Sequence, residues 1–324
     1  MPAALPHSFL LLPAPDDPAL LAISGGQDSV ALLHMLVTAR HQNLILAHLN
    51  HGLRGRESGQ DAAFIRRLAR TYDLPCEIEK ADVAALAKKD RVSIETAARH
   101  ARYDFLRRMA KKHGAERIYL AHHADDQAET ILANLCRGTG IGGLKGMLAE
   151  TPAQPALCRP LLGMRRAEIE AYVAEHGLAY REDSSNSSPA HRRNRLRREV
   201  MPLLNRVYAR EVAPLIVRLG RQAGRDDECL WQQALAFMNA VGTILPDGAL
   251  RAGRELRALH PAVLSRVLHH WLGNILGQPG LDAQILDAAM TMLNPGGPAK
   301  VNLPGGRHLR RKAGRMWVEG GELA

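Results

Sequence analysis

Aromatic side chains are scarce, with Phe, Tyr and Trp making up 4% of the 324 residues. The core of such a chain has to be packed with Leu, Ala, Val and Ile. Cysteine is equally sparse. The four present, Cys76, Cys136, Cys158 and Cys229, include no CxxC pair and no Cys or His at zinc-finger spacing. That excludes a disulfide-built scaffold and a zinc ribbon, and it fits a reducing cytosol. No apolar run reaches membrane-spanning length. The leading MPAALPHSFLLLPAPDD lacks a basic n-region, and its Phe9–Leu12 run is too short for a signal peptide. The expected location is the cytoplasm, with no membrane partner.

Acidic residues are in deficit, 33 against 43 Lys and Arg, which gives a net charge of +10. Such a surplus favours an acidic partner such as nucleic acid. It is unevenly spread: residues 185–225 hold ten Arg and two Glu. With few aromatic rings, a nucleic-acid contact must rest on Arg and Lys and depend strongly on salt. The arginines of 251–257 and 307–311 are candidates for it on charge alone.

Short apolar runs alternate with helical spacing over the first 180 residues. Strands are expected at LLAI (20–23), LILAHLN (44–50), CEIEK (76–80), RIYLA (117–121) and near 157–161. Helices are expected at 30–39, 61–72, 94–113, 126–136 and 165–176. This βαβα rhythm predicts an α/β fold, a doubly wound parallel sheet with helices on both faces. From about Ser184 the texture turns polar and then basic. Residues 210–295 show mostly helical spacing, and the tail predicts two short strands. The domains are expected at 1–208 and 209–324, the second mostly helical.

The stretch LAISGGQDSV (21–30) sets Gly25 and Gly26 between the first strand and the first helix. Ligands of open α/β sheets bind at that end of the strands. Glycines bring backbone N–H groups close to an anion, and the helix N-terminus adds its dipole. Ser24 and Ser29 can add hydroxyls. No GK[ST] follows, so a conventional P-loop is disfavoured. Asp28 beside phosphate calls for a bridging Mg²⁺. GTGIGG (138–143) matches GxGxxG but follows a helix rather than a strand, which argues against a dinucleotide site.

In LAHHADD, His122 and Asp126 are four apart and share one side of a helix start. His122 can donate to charge gathering on a phosphate. Asp126 can position Mg²⁺ or an attacking oxygen, or accept a proton. Asp125 is a candidate N-cap. A zinc site completed by His48 or His51 is the alternative. Arg99, Arg102 and Tyr103 lie on the long helix, with Arg99 and Arg102 on a shared face. RRNRLRRE (192–199) is either a basic linker or a phosphate grip.

SGGQDS resembles the SGGxDS loop of the N-type ATP pyrophosphatases, the PP-loop family. HLNHGLRGRES (48–58), SIETAARHARYDFL (93–106), LAHHADDQAETILANLCRGTGIGGLKGM (120–147) and EDSSNSSPAHRRNRLRREVMPLL (182–204) narrow this to a likeness with the tRNA(Ile)-lysidine synthases. The resemblance covers roughly residues 20–205, and the region after 210 is similar to that family's tRNA-recognition domain more loosely. It implies an adenine nucleotide α-hydrolase-like fold and an AMP-forming carbon–nitrogen ligase. ATP adenylates the C2 oxygen of the wobble cytidine in the CAU anticodon of tRNA(Ile). The ε-amine of free L-lysine then attacks C2 and AMP leaves.

ATP and Mg²⁺ are the implied cofactors. The implied ATP-binding residues are Ser24, Gly25, Gly26, Gln27, Asp28 and Ser29, and the implied catalytic set is Asp28, His122, Asp126 and Arg193. Asp28 and Asp126 are the candidate Mg²⁺ ligands. Arg99, Arg137, Gly138, Asn194, Arg195 and Arg197 are the implied substrate and tRNA contacts. A homodimer is compatible with this reading. A PP-loop thiolase would need paired cysteines, which are absent.

Overall fold

The computed structural model describes residues 17–41, 43–52, 56–181 and 192–320. The leading segment, part of HLNHGLRGRES and the 182–191 portion of the Ser-rich motif lie outside the described residues. The chain divides into two compact units, Met1–Arg137 with Lys145–Gly220, and Gly138–Leu144 with Arg221–Ala324.

The first unit is built on a five-stranded parallel sheet of order β3-β2-β1-β4-β5. In chain order its elements are β1 (Ala19–Ala22), α1 (Gln27–Thr38), β2 (Leu44–Asn50), α2 (Arg56–Thr71), β3 (Cys76–Lys80), α3 (Val83–Asp90), α4 (Ile94–His113), β4 (Arg117–Tyr119) and α5 (Ala124–Cys136). A single turn, α6 (Ile141–Leu144), belongs to the second unit. Then follow β5 (Ala156–Cys158), α7 (Arg166–Glu175), α8 (Arg192–Arg195), a π-helical turn at Leu196–Val200, α9 (Met201–Val207) and α10 (Ala213–Val241), whose residues from 221 onward belong to the second unit.

Helices cover both faces of the sheet. Ala19 and Leu21 of β1, Ile23 just after it, and Leu44 and Leu46 of β2 pack with α1, α2 and α7. Leu20, Ile45, Ala47 and Leu49 point the other way and pack with α4 through Phe105, Leu106 and Met109. A strand buried on both faces reads as an unbroken apolar run, which is why LILAHLN shows no alternation. Each such Leu or Ile contributes about 1.5–3 kcal/mol on burial. Strand β5 is shorter than expected, because Pro160 turns the chain into a 3₁₀ turn over Pro160–Gly163. Helix α3 was not expected. It is eight residues long, and Asp82 caps it by accepting from the Ala85 N–H.

The second unit contains α11 (Arg254–Arg257), α12 (Pro261–His269) running into a π-helical turn at His270–Ile275, and α13 (Ala283–Thr291). Its four-stranded antiparallel sheet has the order β6-β9-β8-β7: β6 (Leu250–Arg251), β7 (Lys300–Leu303), β8 (Arg307–Lys312) and β9 (Arg315–Glu319). The tail therefore forms three strands rather than two. Arg310 and Arg311, placed between apolar and charged neighbours, hid the alternation of β8. Leu250, Leu309 and Met316 face a core with Val267, Leu268 and Trp271. The Trp271 Nε1–H donates to Gly248 O at 2.8 Å, so the buried indole keeps a partner. Among the described residues no helix is long and apolar enough to cross a membrane.

Candidate active site

Strands β1 and β4 are neighbours, and the sheet's order reverses between them. Their carboxyl ends hold SGGQDS and HHADD, so both motifs flank the crevice where ligands of such sheets bind. Gly25 has φ +87°, and a Cβ there would lie 3.3 Å from the Phe64 ring. The left-handed φ favours glycine, and any larger residue would also push the Phe64 ring aside by a few tenths of an ångström. The Gly25 carbonyl accepts from the Arg181 N–H at 2.9 Å, and Arg181 in turn holds Asp61 at 2.6 Å. Gly26 is the N-cap of α1, and Gln27 and Asp28 open the helix, where N–H groups point outward. The serine hydroxyls are used inside the loop. The Gly26 N–H donates to Ser24 Oγ, and Ser29 Oγ–H donates to Gly26 O at 2.8 Å. The loop thus offers backbone donors more than the hydroxyls expected from its sequence.

Helix α5 begins at Ala124, and its N-cap is His123 rather than Asp125. His123 Nδ1 accepts from the Asp125 N–H, and the His123 N–H donates to Asp126 Oδ2 at 3.1 Å. An accepting Nδ1 leaves the ring proton on Nε2. That atom lies 3.8 Å from Asp28 Oδ2 and 3.5 Å from Asp126 Oδ2. Asp28 and Asp126, nearly a hundred residues apart, thus flank one buried imidazole. Sequence spacing had singled out His122 and passed over His123. Asp125 turns away to bind Arg165 and the Arg166 N–H, which ties α5 to α7.

The two carboxyls are driven in opposite directions. Burial raises Asp28, and the like charge of Asp126 adds to this against His123, Arg166 and Arg197. Its Oδ1 is buried with no hydrogen-bond partner. Burial would also raise Asp126, but His123, Arg193, His122 and the His123 N–H hold it below the carboxylate range. His122 is pushed down to about 3 by burial, with Arg102, Arg193 and Arg159 adding to the effect against Asp126. It is a neutral imidazole at neutral pH, with an unpartnered Nδ1. Any hydrogen bond it donates comes from a neutral ring, not from an imidazolium.

Residues 192–200 are helical. The four-residue spacing of Arg193 and Arg197 points both at α5. Arg193 Nε donates to Glu129 Oε2 at 2.9 Å, and Arg197 Nε donates to Glu129 Oε1 at 2.6 Å. Their Nη2 atoms lie 3.1 and 2.9 Å from Asp126 Oδ1. Glu129, buried and one helical turn beyond Asp126, was missed in the sequence, where it looked like one more helix acid. Arg195 instead pairs with Glu199 on the exposed side. Asn194 is half-buried.

Arg99 and Arg102 lie 4.9 and 5.3 Å over the Tyr103 ring. Burial would raise the Tyr103 hydroxyl, but Arg102, Arg99 and Arg159 pull it below its ordinary value. Arg159, also missed, is buried and donates to Leu148 O. Arg137 is exposed at the C-cap of α5, about 16 Å along the axis from Asp126, so it is not gathered into this cluster. Gly138 has φ +75° and opens the segment that belongs to the second unit. Among the described residues no three His, Cys, Asp or Glu side chains are grouped to hold a metal ion.

A glycine loop at the switch point of a parallel sheet, with Asp28 and Asp126 flanking the buried His123 imidazole, defines a nucleotide-binding protein of the PP-loop class. A family model described as the PP-loop domain matches residues 7–204, and one described as the TilS substrate binding domain matches residues 254–317. The chain is similar to the tRNA(Ile)-lysidine synthase of Chlorobaculum tepidum, 36% identical over 75% of this chain and 73% of that one. It is 46% identical to that of Geobacter sulfurreducens, over 67% of this chain and 46% of the relative. With that of Thermus thermophilus the identity is 38%, over 95% and 58% respectively.

The chain belongs to the tRNA(Ile)-lysidine synthase family. It spans about half the length of several curated relatives it matches. Among solved structures, the U34-tRNA thiolase NcsA of Methanococcus maripaludis with its [4Fe-4S] cluster aligns with TM-score 0.53 and 20% identity, over 64% of this chain and 72% of that one. That likeness concerns the fold alone. All four cysteines here are free.

Proposed function

We propose that the chain converts the wobble cytidine of a CAU-anticodon tRNA(Ile) to lysidine, using ATP and free L-lysine. The observation that carries this is the pairing of the SGGQDS loop with the Asp28–His123–Asp126 group across β1 and β4, in a chain of this family. In the first step the cytidine C2 oxygen bonds to the α-phosphorus, and the bond to the β-phosphate oxygen breaks. Pyrophosphate leaves. In the second, the lysine ε-nitrogen bonds to C2, the C2–O bond breaks, AMP leaves and the amine loses a proton.

The backbone of Gly25, Gly26, Gln27 and Asp28 would hold phosphate oxygens, with Ser24 and Ser29 shaping the loop. The unpartnered Asp28 Oδ1 and the ionised Asp126 beside it suit a hard divalent cation. Asp28 and Asp126 would hold Mg²⁺, which would neutralise polyphosphate charge. Arg193 and Arg197, fixed by Glu129, would face the charge that gathers at the α-phosphate. His122 would supply a neutral N–H or lone pair to the base or phosphate. Arg99, with Arg102 and Arg159, makes an arginine group suited to a substrate carboxylate or phosphate. We leave Asn194, Arg195, Arg137 and Gly138 as tRNA contacts outside the acid cluster.

We assign catalysis to residues 1–208 and tRNA recognition to 209–324. A cytoplasmic location, where free thiols persist, belongs to the same proposal, as does a homodimer, tested by molar mass in solution. Asp28→Ala and Asp126→Asn are the direct test of the site. Each should abolish lysine transfer and leave tRNA binding nearly intact. Full activity in either variant overturns the assignment.

A further inference from the structure

The four-stranded sheet of the second unit has one face in the core and one face open. Cross-strand register fixes which side chains share the open face, because directly paired residues point the same way. One row is Lys300, Arg310 and Trp317; a second is Asn302, His308 and Glu319; a third is Lys312, Arg315 and Arg251. Leu250, Leu309 and Met316 point to the opposite face and are fully buried.

The open face carries five Lys and Arg side chains against one Glu. Arg310 is paired with Glu319, and Arg315 with Asp247. Arg251, Lys300 and Lys312 are exposed, with no acidic partner among the described residues. Trp317, one of three tryptophans in the chain, is half-buried on β9 at the end of the first row, beside Arg310. The neighbouring Arg311 has another task. It points to the core side, and its guanidinium donates to the carbonyls of Asn294 and Gly297. Charge alone does not separate Arg310 from Arg311; strand register does.

We propose that this face is an RNA-binding platform, in which Arg251, Lys300 and Lys312 grip phosphates and Trp317 stacks an unpaired base. Single-stranded nucleic acid is bound by this combination of basic groove and aromatic face. The inference rests on the tRNA reading above and names where the second unit holds that substrate.

The test is filter binding of an unmodified CAU tRNA(Ile) transcript to the full chain over a series of KCl concentrations. The triple variant Arg251→Gln, Lys300→Gln, Lys312→Gln should weaken binding about tenfold or more and lower the salt slope by about two, at roughly 0.7 per lost contact. Trp317→Ala should weaken it about tenfold with the slope unchanged, and Trp317→Phe should restore most of the loss. The control Lys88→Gln, Lys89→Gln, Lys111→Gln removes the same charge from exposed positions of the first unit and should leave the slope unaltered. An unchanged slope in the sheet triple, or an equal fall in the control, overturns the platform while the parent's binding keeps the tRNA reading. Failure of the parent chain to bind the transcript overturns both.

Discussion

Glu129 joins Arg193 and Arg197 through its two carboxylate oxygens, at 2.9 and 2.6 Å, one turn after Asp126 on the same helix. The four side chains form a closed acid–base ring that fixes residues 192–200 against α5. Breaking such a ring leaves charges uncompensated, although the arginines are about a third exposed and water moderates the cost. Glu129→Gln keeps the shape and removes the charge. It should lower stability by about 1–3 kcal/mol and cut lysine transfer about a hundredfold or more by misplacing the arginines. Denaturant unfolding and steady-state kinetics read the two effects. Wild-type rates would remove Glu129 from the account.

Gly25 sets a second expectation. With φ +87° and Phe64 3.3 Å from where a Cβ would stand, Gly25→Ala pays for backbone strain and for displacement of the ring together. The strain alone is about 1–2 kcal/mol. We expect a lower melting temperature and a raised KM for ATP, with tRNA affinity unchanged. A variant with unaltered KM for ATP would show that the loop conformation is not needed for the nucleotide.

His122 gives a pH signature. Its folded value of about 3 lies below the ordinary 6.5, so between these limits the unfolded chain binds a proton that the folded chain refuses. Stability is fully present above pH 6.5 and falls as the pH drops toward 3. The contribution approaches about 1.4 kcal/mol per pH unit for one proton. His34, His41 and His269, also lowered by burial, add to the wild-type slope. The difference between wild type and His122→Gln isolates the one proton. In unfolding measurements without nucleotide or metal, the variant should have a shallower acid limb between pH 6 and 4. Identical limbs would contradict a buried neutral His122.

Much of this was legible in the sequence, for identifiable reasons. Strands buried on both faces are long apolar runs, and the glycine loop sits where a strand pattern gives way to a helical one. What escaped depends on contacts between distant residues. His123 looks like the neighbour of His122, and only the start of α5 at Ala124 turns its ring between Asp28 and Asp126. Glu129 and Arg159 carry no local signature, because their partners lie 64 and 11 residues away. Asp125 has an N-cap's chemistry, but Arg165 and the Arg166 N–H claim it. In the tail, Arg310 and Arg311 look alike until register places them on opposite faces of β8.

The central claim is that the acid pair around His123 serves lysine transfer to a wobble cytidine. The most direct measurement incubates the chain with ATP, Mg²⁺, labelled lysine and a CAU tRNA(Ile) transcript, beside a transcript carrying U at the wobble position. The account predicts label and AMP release with the first transcript alone, and neither with Asp28→Ala. Pyrophosphate release without lysine incorporation, or equal labelling of both transcripts, would contradict it.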